Sequence, residues 1–250
     1  MGSTHTPKGQ PTPAQVFATT HWSVVLAAGA SDKPGAREAL SRLCQTYWYP
    51  LYAYVRRRGH SPQDAEDLTQ QFFVELLEHR WLARADQNRG RFRSFLLMAL
   101  DRFLANQWDK ARSRKRGGHV RQVPLVMNDA ENRFSREPVD TSTPEQAFEK
   151  QWAITVLEQV LAGLRDEYAR QNQGALFDAL KPTLMGSRTS QPYDQLGAEL
   201  GMSEGNVQVA VFRLRRRYRQ RLVEEIAQTV ASPAEVDSEV RHLFRVLARR

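Results

Sequence analysis

Cysteine is almost missing from this chain. Cys44 stands alone, so no internal disulfide and no cysteine-based zinc site can form, and a reducing cytoplasm is the expected compartment. No run of about 18 apolar residues occurs, which argues against a spanning helix and a membrane partner. The opening residues, MGSTHTPKGQPTPAQ, hold no apolar segment of the kind a secretory signal requires. Alternating apolar and polar runs are scarce, so strands are not expected. What is present is ordinary for a soluble globular protein. Hydrophobic residues make up 41% and charged ones 26% of 250 residues, enough for one or two domains. The imbalance lies in the sign of the charge. Lys and Arg number 36 against 28 Asp and Glu, a formal net charge of +8 and a pI near 9.9. Such a balance points to an anionic partner, nucleic acid first.

Apolar residues recur at helical spacing along most of the chain. Residues 1–19 are rich in Pro, Thr and Gly and read as disordered, and Thr20 is placed to cap a short helix from His21 to Ala28. After Pro34-Gly35, the positions Leu40, Leu43, Cys44, Tyr47, Trp48, Leu51, Tyr54 and Val55 step by three and four. Pro50 is expected to kink or split that helix, and Arg56-Arg57-Arg58-Gly59 to end it. A third long pattern spans about 91–115, with Phe92, Phe95, Leu96, Ala99, Leu100, Phe103, Leu104 and Trp108 as its apolar positions. Residues 117–144 carry Gly, Pro, Asn, Ser and Thr with weak periodicity and read as a flexible linker. Thr143-Pro144-Glu145 then opens a second helical block, in which Phe148, Trp152, Val156, Val160 and Leu164 recur about every four residues. A short helix near 174–181 follows. The expected architecture is all-α, with two helical domains joined by a tether.

One segment runs against the basic background. SPQDAEDLTQQFFVELLE, residues 61–78, carries Asp64, Glu66, Asp67, Glu75 and Glu78 and no Lys or Arg. Ser61-Pro62 reads as N-cap and first helical residue, with Asp64 at N3, and Ala65, Leu68, Phe72, Phe73, Leu76 and Leu77 as the buried face. The acids suit the helix dipole, yet three of them within four residues exceed what one cap needs.

In the second block, YDQLGAELGMSEGNVQVAVFRLRRRYRQRL (residues 193–222) has the layout of a DNA-reading helix-turn-helix. Gly201 supplies a left-handed turn residue, Ser203 a cap, and Gly197 room for close approach. Leu196, Leu200, Met202, Val207 and Ala210 fill the angle. Glu204, Asn206, Gln208 and Val209 fall near the start of the second helix, where Asn and Gln can read adenine and Glu can accept from cytosine. Arg213, Arg216, Arg217 and their arginine neighbours suit phosphates. The plainer reading is a surface helix with a solvated arginine face.

The local order PLYAYVRRRGHSPQDAEDLTQQFFVELLE followed by GRFRSFLLMALDRFLANQWDKARSRKR resembles domain two of the extracytoplasmic-function sigma factors of bacterial RNA polymerase. The helix-turn-helix beyond a linker resembles their domain four, and the likeness extends over about 36–228. It implies a sigma factor that performs no chemistry itself, needs no cofactor or metal, and gives core polymerase its promoter specificity. Its domains would be sigma domain 2 at 20–116, a linker at 117–144 and domain 4 at 145–230. The resemblance implies that Asp64, Glu66, Asp67 and Gln70, with Phe73 and Leu77 nearby, face polymerase. It implies that Arg91, Arg93, Asn106, Trp108, Lys110, Arg112, Arg114 and Lys115 meet minus-ten DNA, where melting needs aromatics and cations. Trp108 also fits a core position by its spacing from Phe103 and Leu104. Ser203, Glu204, Asn206, Gln208, Val209, Arg213, Arg216 and Arg217 would meet the minus-thirty-five element. Core RNA polymerase (β′ and β subunits) and promoter DNA are the implied partners, and an anti-sigma protein or a regulatory kinase is a candidate controller.

This sequence departs from the family in the third helix, which has Ala99-Leu100-Asp101-Arg102 where members place an Arg-Asn pair. It also carries a C-terminal extension, 231–250, in which Ser232-Pro233 opens a helix striped with Val236, Val240, Leu243, Phe244 and Leu247. The stripe reads as packing on the protein itself; a regulatory latch or partner-binding helix is the sharper alternative. An ordinary helix-turn-helix repressor would leave the acidic helix without a task. A carboxylate metal enzyme would need a His at ligand spacing beside Asp64 and Asp67, and none is there.

Overall fold

The computed structural model describes residues 36–78, 91–113, 130–137, 142–184, 191–230 and 232–248. All regular structure among them is helical, with no strand, in keeping with the all-α expectation. The expected helix at 21–28, the N-terminal 1–19 and the linker residues 117–129 and 138–141 lie outside the described set. The helices gather into two compact units. One takes the chain through Trp152 together with Ala227 onward; the other is Ala153–Ile226.

In the first unit, α1 (Ala36–Arg57) is buried nearly all round, with Leu43, Tyr47, Trp48, Leu51, Tyr52, Ala53, Tyr54 and Val55 in the core. That explains why Pro50 does not split it. Proline removes one rung of the hydrogen-bond ladder, but a helix apolar on every face is held by its packing. The helix ends as expected. The Arg58 N–H donates to the carbonyls of Tyr54 and Val55, and Gly59 takes φ 91°.

The acidic helix α2 (Pro62–Glu78) starts on a reciprocal cap. The Asp64 N–H donates to Ser61 Oγ at 3.1 Å, and the Ser61 hydroxyl donates to Asp64 Oδ2 at 2.6 Å. Such a cap is worth about 1 kcal/mol. α2 packs on α1 and on α3 (Phe92–Ser113), with Phe72 and Phe103 ring centroids 5.7 Å apart. Asp101 ties α3 to the end of α1, accepting from the Tyr54 hydroxyl at 2.7 Å and pairing with Arg58 at 2.6 Å. Burial, the hydrogen bond to Asp101 and its charge push the Tyr54 phenol up to about 12.

Part of the expected linker is ordered. α4 (Ala130–Ser135) sits on α1. Glu131 takes a forked pair of hydrogen bonds from Arg56 at 3.0 and 2.9 Å and another from Tyr52. Glu137 takes one from Arg57 at 3.1 Å and one from Tyr49. The Arg133 guanidinium lies 4.0 Å from the Tyr49 ring centroid. Helix α5 (Pro144–Arg170) opens on a capping box, with the Gln146 N–H donating to Thr143 Oγ1 at 3.3 Å and the Thr143 N–H to Gln146 Oε1 at 3.2 Å. Its Phe148 and Trp152 are buried.

The second unit holds the rest of α5, then α6 (Gly174–Leu180), a 3-10 turn Lys181–Leu184, α7 (Tyr193–Leu200) and most of α8 (Glu204–Ala227). Its core is Leu164, Phe177, Leu180, Leu196, Val207, Val211 and Leu214.

The C-terminal helix α9 (Val236–Ala248) belongs to the first unit. Its buried face is Val236, Glu239, Leu243 and Val246, whereas Phe244, expected on the apolar stripe, is half exposed. The inward-facing stripe includes Glu239 because that carboxylate meets Arg91 and Arg93.

Cys44 on α1 is buried, and desolvation pushes its thiol up to about 11. A protonated, covered thiol is a poor nucleophile. Iodoacetamide at neutral pH is expected to leave the native chain unmodified and to label it stoichiometrically in denaturant, read by intact mass. Fast labelling of the folded chain would contradict this burial.

Candidate nucleic-acid and partner interfaces

The α2 cap sets the geometry of the acidic face. A helix that begins at Pro62 places Asp64 and Asp67 one turn apart, with Glu66 beside them, and all three side chains are exposed. Their mutual arrangement is partly fixed, because Asp64 accepts from Ser61 and Glu66 accepts from Gln70 Nε2 at 3.1 Å. Phe73 is buried in the first unit's core, so it supports this face from below rather than presenting to a partner. The Leu77 side chain lies outside the described set.

The expected minus-ten residues divide. On α3, Asn106 is exposed and Trp108 is 69% exposed, so Trp108 is not the core residue its spacing also allowed. Met98 is a further large apolar residue on the exposed face of α3. Sequence reasoning passed over it, although it stands outside the helix's buried stripe. The side chains of Lys110 and Arg112, and residues Arg114 and Lys115 altogether, lie outside the described residues.

Arg91 and Arg93 are engaged internally. Arg91 Nε pairs with Glu239 at 2.8 Å. Arg93 is 2% exposed and pairs with Glu239 as well as with Glu149, the latter through Nε at 2.9 Å. The Arg93 guanidinium also lies 4.4 Å from the Trp152 ring centroid, a cation–π geometry. His242 Nε2 hydrogen-bonds Glu149. Burial lowers the Arg93 pKa, though a guanidinium stays charged at neutral pH. Burial alone would raise the Glu149 carboxyl, but Arg93 and His242 outweigh it and hold it below its ordinary value. Desolvation first holds His242 below the usual imidazole range, against the hydrogen bond to Glu149 that raises it.

In the second unit, α7 and α8 meet at a turn built around two glycines. Gly201 sits at φ 64°, and the Met202 N–H donates to the Gly197 carbonyl at 2.8 Å. A Cβ at Gly197 would lie 2.6 Å from the Met202 carbonyl oxygen. Ser203 caps α8, its Oγ accepting from the Asn206 N–H at 3.3 Å. Glu204, Asn206, Gln208 and Val209 are exposed along the first turns, with Gln208 Nε2 donating to Glu204 at 3.1 Å. Phe212, 66% exposed one turn beyond Val209, joins this face; sequence reasoning passed over it, although the spacing carried the signal.

The arginines of α8 are not equivalent. Arg213 and Arg216 are exposed. Arg217 and Arg221 converge on Glu167 of α5 at 2.9 and 2.6 Å, and hold that carboxyl below its ordinary value against the opposing effect of burial. Arg215 donates to the Thr183 carbonyl at 3.0 Å. Arg217, expected on phosphate, is therefore an internal brace in this structure. Among the described residues, no cluster of three or more His, Cys, Asp or Glu could hold a metal, and no helix is long and apolar enough to cross a membrane.

Residues 43–114 match the protein-family model described as Sigma-70 region 2. Those residues contain α2, the Asp101 tie and all of α3. The match spans 72 of the 250 residues, under a third of the chain, and supports a Sigma-70 region 2 domain there. Neither the curated proteins nor the solved structures gave a match.

Gly197→Ala drives a methyl group into backbone. It is expected to destabilise the second unit by about 1–3 kcal/mol, read as a lower urea midpoint, and to weaken DNA binding with it. A neutral result would mean that the α7–α8 angle is not set at this contact.

Proposed function

We propose that the chain is a sigma factor of the extracytoplasmic-function type, docking on core RNA polymerase through α2 and reading promoter DNA at two places. The observation that carries the reading is the acidic N-terminal face of α2, exposed within the residues that match Sigma-70 region 2. In a chain of net charge +8, a compact acidic face repels DNA and suits a basic protein surface. Asp64, Glu66, Asp67 and Gln70 make the contact, with β′ as the main partner and β as a second.

The exposed side of α3 takes the minus-ten element. Asn106 is placed for base edges and Trp108 for stacking on an unpaired base. The segment 145–230 serves as domain 4. Its α7–α8 pair is read as the helix-turn-helix that meets the minus-thirty-five element. Ser203, Glu204, Asn206, Gln208 and Val209 face the major groove, and Arg213 and Arg216 meet phosphate. The geometry that supports this is the Gly201 turn, the Ser203 cap and the exposed polar start of α8. Polymerase supplies the catalysis, in the cytoplasm where the single thiol stays reduced. An anti-sigma protein or a kinase is the proposed class of controller.

The docking face is tested by Asp64→Arg combined with Asp67→Arg. Co-purification with core polymerase is expected to weaken at least tenfold, about 1.4 kcal/mol, while helical content by circular dichroism is unchanged. Loss of the Asp64 cap costs at most about 1 kcal/mol of stability. A folded double variant that still binds polymerase normally would remove the assignment.

A further inference from the structure

The charges at the start of α3 are arranged for a ligand, and the chain itself supplies one. Arg91 and Arg93 converge on one carboxylate, Glu239, from a helix that enters the first unit from the far end of the chain. Arg93 lies against the Trp152 ring, and Glu149 meets it from α5. Two guanidiniums face two carboxylates, and His242 hydrogen-bonds one of them, Glu149. The arrangement balances only while an anion occupies the position of Glu239. Arg91 remains about one-third exposed, and Arg93 Nη2 finds no acceptor among the described residues. Buried charges so incompletely satisfied give little net stability, which suits an exchangeable contact better than a fixed core.

We propose that Arg91, Arg93 and Trp152 form an anion cradle that α9 fills with Glu239, and that a nucleic-acid phosphate replaces this carboxylate when the protein engages DNA. A phosphodiester carries the same single negative charge, so the exchange keeps the cradle balanced. Arginine also donates to phosphate oxygens in the same forked geometry as to a carboxylate. The free protein is thereby held with two cations of its promoter-reading helix occupied. α9 is an internal competitor for DNA. This inference rests on the assignment of α3 to DNA.

The experiment uses the full chain and a fluorescein-labelled duplex of random sequence, with affinity read by anisotropy across a salt series. Glu239→Gln frees both arginines. The same phosphates are neutralised in both bound states, so the salt slope is expected to stay the same, while affinity at any one salt concentration rises because no carboxylate has to be displaced. Asp237→Asn removes the same charge from the exposed side of the same helix and is expected to raise affinity much less. Equal affinities of the wild type and a folded Glu239→Gln chain would overturn the proposal, as would an equal gain in both variants, since that is a net-charge effect alone. Should Glu239→Gln fail to fold, hydrogen exchange on the wild-type chain decides. Residues 236–248 are expected to lose protection when the duplex is added, and undiminished protection in the bound state overturns the exchange. Run-off transcription by the wild-type chain with core polymerase tests the underlying assignment separately. Activity there without an affinity gain in Glu239→Gln would sink the cradle and leave the sigma reading standing.

Discussion

A guanidinium at 2% exposure needs counter-charges, and Arg93 draws them from distant parts of the chain. Glu149 arrives from α5 and Glu239 from α9, while Trp152 offers its ring face. The desolvation of one Arg is a cost of several kcal/mol, which these counter-charges offset. Arg93 thus links the start of α3, the first turns of α5 and the C-terminal helix in a single electrostatic condition. The first unit is consequently discontinuous in sequence, and its last helix is not an ornament on a complete fold.

A second condition of the same kind divides the arginines of α8. Glu167 takes Arg217 and Arg221, and the Thr183 carbonyl takes Arg215. These anchor α8 to α5 and to the 3-10 turn. Arg213 and Arg216 stay on the exposed side with Val209 and Phe212. A run that reads as one cationic block in sequence is therefore two groups: one fastens the helix, and the other is presented to solvent.

Local rules made much of this legible beforehand. The caps at Ser61, Thr143 and Ser203 and the turn at Gly201 depend on residues at most three or four apart, and the structure carries them as expected. The helical stripes of α1, α3 and α5 follow from spacing in the same way. Several misses are long-range. Pro50 obeys a local rule that burial on every side overrules. The ordering of 130–137 depends on Arg56 and Arg57, more than 70 residues earlier. The burial of Arg93 depends on a glutamate near the other end of the chain, and no periodicity within α3 announces it. Trp108 had a spacing that suited either core or surface, and only the packing of its neighbours decided between them.

The discontinuity of the first unit also bears on how the protein is made. Glu239 emerges from the ribosome about 146 residues after Arg93, a delay of roughly 7–30 s at about 5–20 residues per second. Through that interval the nascent chain carries Arg91 and Arg93 without their shared carboxylate, while α1, α2 and α3 are already available to pack. The second unit has time to form before the first is finished. Completion of the earlier part of the fold is timed by the synthesis of its last helix.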